Sequence, residues 1–213
     1  MLAMDMLLAN FILLFIVVDP IGVAAVFTGL SVGMTRAAQR RAALQGVLVA
    51  LGMLLLFFLV GERLLDWLGI GIPAFRVAGG ILLFLLAIDM VLVRDSALRT
   101  ATDSERDEAA TRGDISVFPL AFPLLAGPGA LTTVLLLASQ GHALFDYLAL
   151  TGVVVTVLLL ALLALLLAPR LMHALGATGV NVVNRVLGLI LAALAAQYVL
   201  DGLVAVFPGI ATA

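Results

Sequence analysis

Pro119-Leu120-Ala121-Phe122-Pro123-Leu124-Leu125-Ala126-Gly127-Pro128-Gly129 lies inside an otherwise apolar run from about Ile115 to Ala138. Three of the chain's seven prolines fall within ten residues, and glycines flank the last of them. Each proline removes a backbone donor and crowds the carbonyl four residues earlier. In a membrane that carbonyl cannot turn to water, so a break survives only against protein or a wet cavity. Asp19-Pro20-Ile21-Gly22 has the same character, in the middle of the apolar run from about Met6 to Val32. Interrupted hydrophobic segments at matching places in two halves of a chain point to a transporter binding site.

Composition places both runs in a membrane. Of 213 residues, 64% are hydrophobic and 11% charged, with mean hydropathy +1.28. A soluble domain carries about 25% charged residues. No basic aromatic surface points to nucleic acid. With no cysteine, disulfides, thiolate metal sites and a cysteine nucleophile are excluded. His142 and His173 lack ligand spacing, so neither a metal nor a cofactor is expected. The start of the chain, with Asp5 and no arginine, lacks the positive charge of a cleavable signal.

Spanning a bilayer takes about 20 apolar residues. Six candidates follow: Met4 to Val32, Ala42 to Val60, Ile72 to Val93, Ile115 to Gln140, Leu144 to Ala168 closed by Pro169, and Val180 to Phe207 closed by Pro208. The fold class expected is all-α and polytopic, with the first and fourth helices discontinuous. Residues 1–93 form one three-helix repeat and residues 115–213 another. Between them, 94–114 holds ten charged residues in 21 positions and reads as a solvated linker. Loops one, three and five carry Arg36, Arg40, Arg41, Arg94, Arg99, Arg106, Arg112 and Arg170; the opposite side carries Arg63 alone. The positive-inside rule puts those loops in the cytoplasm and both termini outside. The lysine-free, Ala-, Leu- and Val-rich composition points to a bacterial cytoplasmic membrane.

The halves resemble each other. Arg76 to Ala87 lies over Arg185 to Ala196, with seven of twelve positions identical at an offset of 109. Pro20 and Pro128 align at an offset of 108, with Val26 over Val134 and Ser31 over Ser139. Three spans per half, an odd number, insert the second copy upside down, an inverted repeat. Gly188-x-x-x-Ala192-x-x-x-Ala196 is read as a close-packing face.

The breaks suggest chemistry. Asp19 lies roughly 20 Å along the helix from Asp5 at 1.5 Å per residue, deep in a core about 30 Å thick. A carboxylate there costs about 2.5–3.5 kcal/mol and needs a partner or a cavity. Half-helices starting at Ile21 and Gly129 would aim free N–H groups and positive dipole ends at mid-membrane, where they suit a carboxylate. Asp19 and the carbonyls before each break suit an ammonium group or a cation, so a zwitterion fits both. The candidate substrate site is Asp19, Pro20, Ile21, Gly22, Gly127, Pro128, Gly129, Ala130, Thr132 and Thr133, with Arg76 and Asn184. Arg76 and Arg185 either snorkel to headgroups or turn inward. Plain proline kinks needed for packing are the competing reading.

Three motifs carry a resemblance: Asp19-Pro20-Ile21-Gly22, the stretch from Ala74 to Ile81, and the stretch from Asp114 to Ala130. On these the chain resembles the MarC family of six-span bacterial and archaeal membrane proteins, which includes transporters of the SnatA type. One departure is Val23 and its neighbours, where the family often carries Asn. The resemblance implies transport of small neutral amino acids such as glycine or alanine, with H+ or Na+ as candidate coupling ions. No enzymatic activity is expected. A lipid-linked enzyme or flippase and a non-transporting scaffold are the alternatives. The bilayer is the one macroscopic partner, and self-association is left open.

Overall fold

A computed structural model describes residues 4–92, 115–141 and 143–207. The charged linker, with Arg94, Arg99, Arg106 and Arg112, lies outside the described residues, as do His142 and Pro208. The described residues form helices throughout: α1 (Met4–Val18), α2 (Pro20–Leu30), α3 (Arg36–Trp67), α4 (Ile72–Leu92), α5 (Ser116–Leu125), α6 (Pro128–Ala138), α7 (Leu144–Leu166) and α8 (Ala168–Val206). Five helices, with α1 and α2 taken together, are long and apolar enough to cross a membrane. Counting the bent pair α5 and α6 as one span makes six.

Several boundaries differ from those expected. α3 reaches well beyond Ala42 to Val60, because Thr35 caps it (the Ala38 N–H donates to Oγ1 at 3.3 Å) and its ends protrude past the apolar core. Pro169 does not close the fifth span onto a loop. It sits in the first turn of α8, where its missing N–H costs nothing. α7 has ended just before it, at Leu166, and a further break falls at Gly176, whose φ of 62° belongs to the left-handed region that glycine enters freely.

The core is made by the broken segments and α3 and α7. α3 packs on α5, α6 and α7; α7 packs on α1 and α2. Leu14, Leu54, Phe58, Leu120, Leu137, Leu150 and Leu158 are fully enclosed there. Phe58 meets Tyr147 edge to face, with centroids 6.0 Å apart and planes at 76°. Leu48, Leu56, Leu59, Leu159, Leu163 and Leu189 point outward. A surface so covered in leucine suits lipid, not water. Phe58→Ala is expected to lower stability by about 3–5 kcal/mol or somewhat less, since lipid also solvates the unfolded ring. Thermal unfolding in detergent checks it.

α4 and α8 pack on each other as an antiparallel pair. A Cβ on Gly80 would lie 2.9 Å from the Ala195 carbonyl, one on Gly188 3.0 Å from the Ala87 carbonyl, and one on Gly202 2.8 Å from the Pro73 carbonyl. The backbones approach so closely that only hydrogen fits. The packing face of α8 is therefore Gly188, Ala195 and Gly202, spaced by seven. It is not the expected Gly188, Ala192 and Ala196: Ala195 is fully buried and Ala196 is exposed. A spacing of seven keeps the contact on one seam along two nearly parallel axes.

Candidate functional site

The first interruption is a single residue. Asp19 takes left-handed dihedrals (φ 48°, ψ 67°) between α1 and α2. Its N–H still completes α1 by donating to the Phe15 carbonyl at 2.9 Å, and its carbonyl opens α2 by accepting from the Val23 N–H at 2.9 Å. The elbow is thus tight and not unwound as expected. Asp is among the few side chains that tolerate this region, and Pro20 starts α2 with φ preset. The Asp19 carboxylate folds back and accepts the Gly22 N–H at 3.0 Å. A Cβ on residue 22 would overlap that carboxylate, which explains the glycine. Asp19 is wholly buried.

The second interruption is longer. Phe118 (φ −132°, ψ 128°) and Phe122 (φ −125°, ψ 130°) are extended. Each precedes a proline, whose ring disfavours the helical region one residue upstream. Both X–Pro bonds here, at Pro119 and Pro123, are cis. The chain then bonds five residues back: the Leu120 N–H donates to the Ile115 carbonyl at 3.2 Å and the Ala126 N–H to the Ala121 carbonyl at 2.8 Å. α5 and α6 meet at 58°. α6 begins at Gly127-Pro128 with no side-chain cap.

A cavity of about 20 Å³ lies at that end of α6, lined by Val17, Leu82, Leu86, Pro123, Leu124 and Gly127 to Ala130. That is room for about one water molecule, far less than an amino acid needs. The arrangement is closed around its centre. A Cβ on Gly129 would touch Leu83, Leu86 and Val17 at 3.2–3.3 Å.

The twelve expected site residues separate into groups. Gly127, Pro128, Gly129 and Ala130 line the cavity. Asp19, Pro20, Ile21 and Gly22 form the neighbouring elbow, linked to the cavity wall through Val17, two residues before Asp19. Thr132 and Thr133 are buried one turn into α6. The Thr133 hydroxyl donates to the Gly129 carbonyl at 2.8 Å, and the Thr132 methyl occupies the space that Gly79 leaves on α4. Arg76 and Asn184 are not among the residues that line the cavity. Arg76 sits near the start of α4, one turn before Gly79, and Asn184 lies on α8. Each carries a buried polar atom without a hydrogen-bond partner, Arg76 Nε and Asn184 Oδ1. The apolar wall of Val17, Leu82, Leu86 and Leu124 gave no signal in a sequence this rich in leucine. Nor did the tie of α1 to the end of α6, where Asn10 Nδ2 donates to Gln140 Oε1 at 2.8 Å. A buried amide such as that of Asn10 requires a partner in lipid, but only the fold says which.

Long apolar helices, a lipid-suited surface and an acid buried at a helix interruption define a multi-pass α-helical integral membrane protein. The family model described as MarC family integral membrane protein matches residues 4–207. The chain belongs to this MarC family. It is 35% identical over 206 residues to the UPF0056 membrane protein YhcE of Escherichia coli, covering 94% of this chain and 93% of that one. It is 33% identical over 198 residues to the UPF0056 membrane protein YvbG of Bacillus subtilis, covering 93% and 94%. A UPF0056 membrane protein of Aquifex aeolicus is 36% identical over 194 residues, covering 91% and 90%. No solved structure matches.

Proposed function

We propose that the protein is a secondary transporter of small neutral amino acids such as glycine or alanine, coupled to H+ or Na+. It would sit in the cytoplasmic membrane with both termini outside, as its arginines suggest. The observation that carries this reading is a pair of matched half-helices treated differently. α2 (Pro20–Leu30) and α6 (Pro128–Ala138) are each 11 residues long and begin with proline, 108 residues apart. The first has a carboxylate at its N-terminus, from Asp19. The second has no side-chain cap and borders the cavity. In this reading the solute's carboxylate takes at α6 the place that Asp19 takes at α2, favoured by free N–H groups and the helix dipole. The ammonium group turns to Asp19.

The reading includes an inverted repeat with one register of 108 throughout. α3 and α7 begin at Arg36 and Leu144, and Ser31 and Ser139 end α2 and α6. On the seam, Gly80 meets Ala195 and Ala87 meets Gly188. A shift of 108 exchanges those two pairs. Gly188 thus pairs with Gly80, not with Gly79 as the offset of 109 has it, and Arg76 corresponds to Asn184.

Purified protein in liposomes is expected to exchange labelled glycine or alanine for unlabelled solute inside. An absence of flux for every amino acid, under both proton and sodium gradients, rejects the reading. Binding should also raise the melting temperature with ligand concentration, since a ligand of the native state stabilises it.

A further inference from the structure

We infer a second binding site at the end of the bundle where α4 begins and α8 ends, in which Arg76 and the Tyr198 hydroxyl hold an oxyanion and Asp201 holds an ammonium group of the same molecule. The site stands apart from the cavity and does not depend on the transport proposed above. Leu82, the first cavity residue on α4, lies six residues past Arg76, about 9 Å along the helix.

Contacts along the seam set the level. Gly80 meets Ala195 and Val199, and Gly202 meets Pro73 and Val77. Arg76 lies between Pro73 and Gly80, and Tyr198 between Ala195 and Gly202, so the two stand at the same level. The direction follows from two glycines. Gly80 faces the α8 backbone, and Gly79 faces Thr132 and Leu136 of α6. Residues three and four apart share a helix face, so Arg76 points into the angle between α8 and α6. Tyr198 packs against the core, and its hydroxyl is within electrostatic reach of Arg76 and of Asp201. Asp201, one turn beyond Tyr198, is exposed, and its Oδ1 accepts from Gln197 Nε2 at 2.7 Å.

Packing alone does not account for this group. An arginine near a helix end snorkels, carrying its donors out toward water. Arg76 is half-buried, yet its Nε is enclosed and has no hydrogen-bond partner among the described residues. A charged donor left unpaired within a membrane is costly, so it marks a missing partner. The planar guanidinium fork matches an oxyanion, and a phenol adds a further donor. At the opposite end of the seam, the proposed register of 108 puts Asn184 and Met90 in these two places. Met90 packs on Gly188 there, so helix pairing needs neither a cation nor a phenol. Opposite charges about a turn apart suit a molecule that carries both. Such a molecule is a free amino acid, or the headgroup of an ethanolamine phospholipid, whose phosphate and ammonium are similarly close.

Arginine modification reads the site directly. Purified protein in neutral detergent is treated with phenylglyoxal, and modification of Arg76 is followed by mass spectrometry relative to the exposed Arg63. Glycine or a short-chain phosphatidylethanolamine, at ten times its dissociation constant, is expected to slow modification of Arg76 about tenfold by occupancy. Glycine should protect more than acetate, and phosphatidylethanolamine more than phosphatidylglycerol, since the second of each pair lacks the ammonium group. Asp201→Asn should abolish that advantage and leave acetate protecting as before. Protection by glycine alone assigns the site to a free solute and by the phospholipid alone to the membrane; either supports the inference. Protection by neither overturns it, as does an advantage that is missing in the native protein or survives Asp201→Asn. Asp19→Asn must keep the protection, which separates this site from the central one; loss there also overturns the inference. Protection without amino acid flux in liposomes would keep the site and reject the transporter reading; flux without protection would do the reverse.

Discussion

Gly80→Leu is expected to drive α4 away from α8 and to leave little folded protein. A Cβ at residue 80 would lie 2.7 Å from Val199 Cγ2, 2.9 Å from the Ala195 carbonyl and 3.0 Å from the Val199 nitrogen. Two of those atoms are backbone, so no rotamer change makes room. Overpacking costs about 1–3 kcal/mol when side chains can yield, and this site belongs at or above the upper end. In a bilayer the helices are not driven together by water, so close packing is what joins them. Gly188→Leu should behave alike, with Met90 Cβ at 2.8 Å and the Ala87 carbonyl at 3.0 Å. Gly52→Ala is the control. Nothing lies within 4 Å of that position, and alanine favours a helix interior by about 0.5–1 kcal/mol. Unfolding curves in detergent rank the three. Equal melting temperatures for Gly80→Leu and Gly52→Ala would refute the seam.

The second large effect separates the shape of Asp19 from its charge. Asp19→Asn keeps a side-chain oxygen for the Gly22 N–H and tolerates left-handed dihedrals. It should fold with nearly the native melting temperature. Glycine exchange should fall at least about tenfold, a rise of roughly 1.4 kcal/mol in the relevant barrier, because the ammonium group loses its charged partner. Asp19→Ala removes the cap, worth about 0.5–2 kcal/mol. It also forces a left-handed backbone on alanine at about 1–2 kcal/mol. That variant should lose stability as well as flux. An Asn variant that exchanges glycine at the native rate would assign Asp19 to structure alone.

How much of this was legible beforehand depends on what each residue does locally. Asp19-Pro20 and Gly127-Pro128 announce helix starts because proline and the cap act within one turn. Gly22 reads as permissive in sequence, but its reason is a specific carboxylate lying over it. Gly79 and Gly80 look alike on paper. Gly79 makes room for Thr132 of α6, and Gly80 for the backbone of α8. Two adjacent glycines thus serve two interfaces, since neighbours on a helix point about 100° apart.

The sequence by itself determined that this chain lives in a membrane, that its spans are helical, and that helices begin at Pro20 and Pro128. Those properties follow from apolar length and from proline and glycine, which act through their own backbone. Only the tertiary structure decided that the first elbow is tight and self-capped, that the cavity is water-sized, and that the seam runs through Gly188, Ala195 and Gly202. The reason is that leucine, alanine and glycine make up most candidates for every interface. Which of them touch is set by the packing of whole helices, a global property no local pattern encodes.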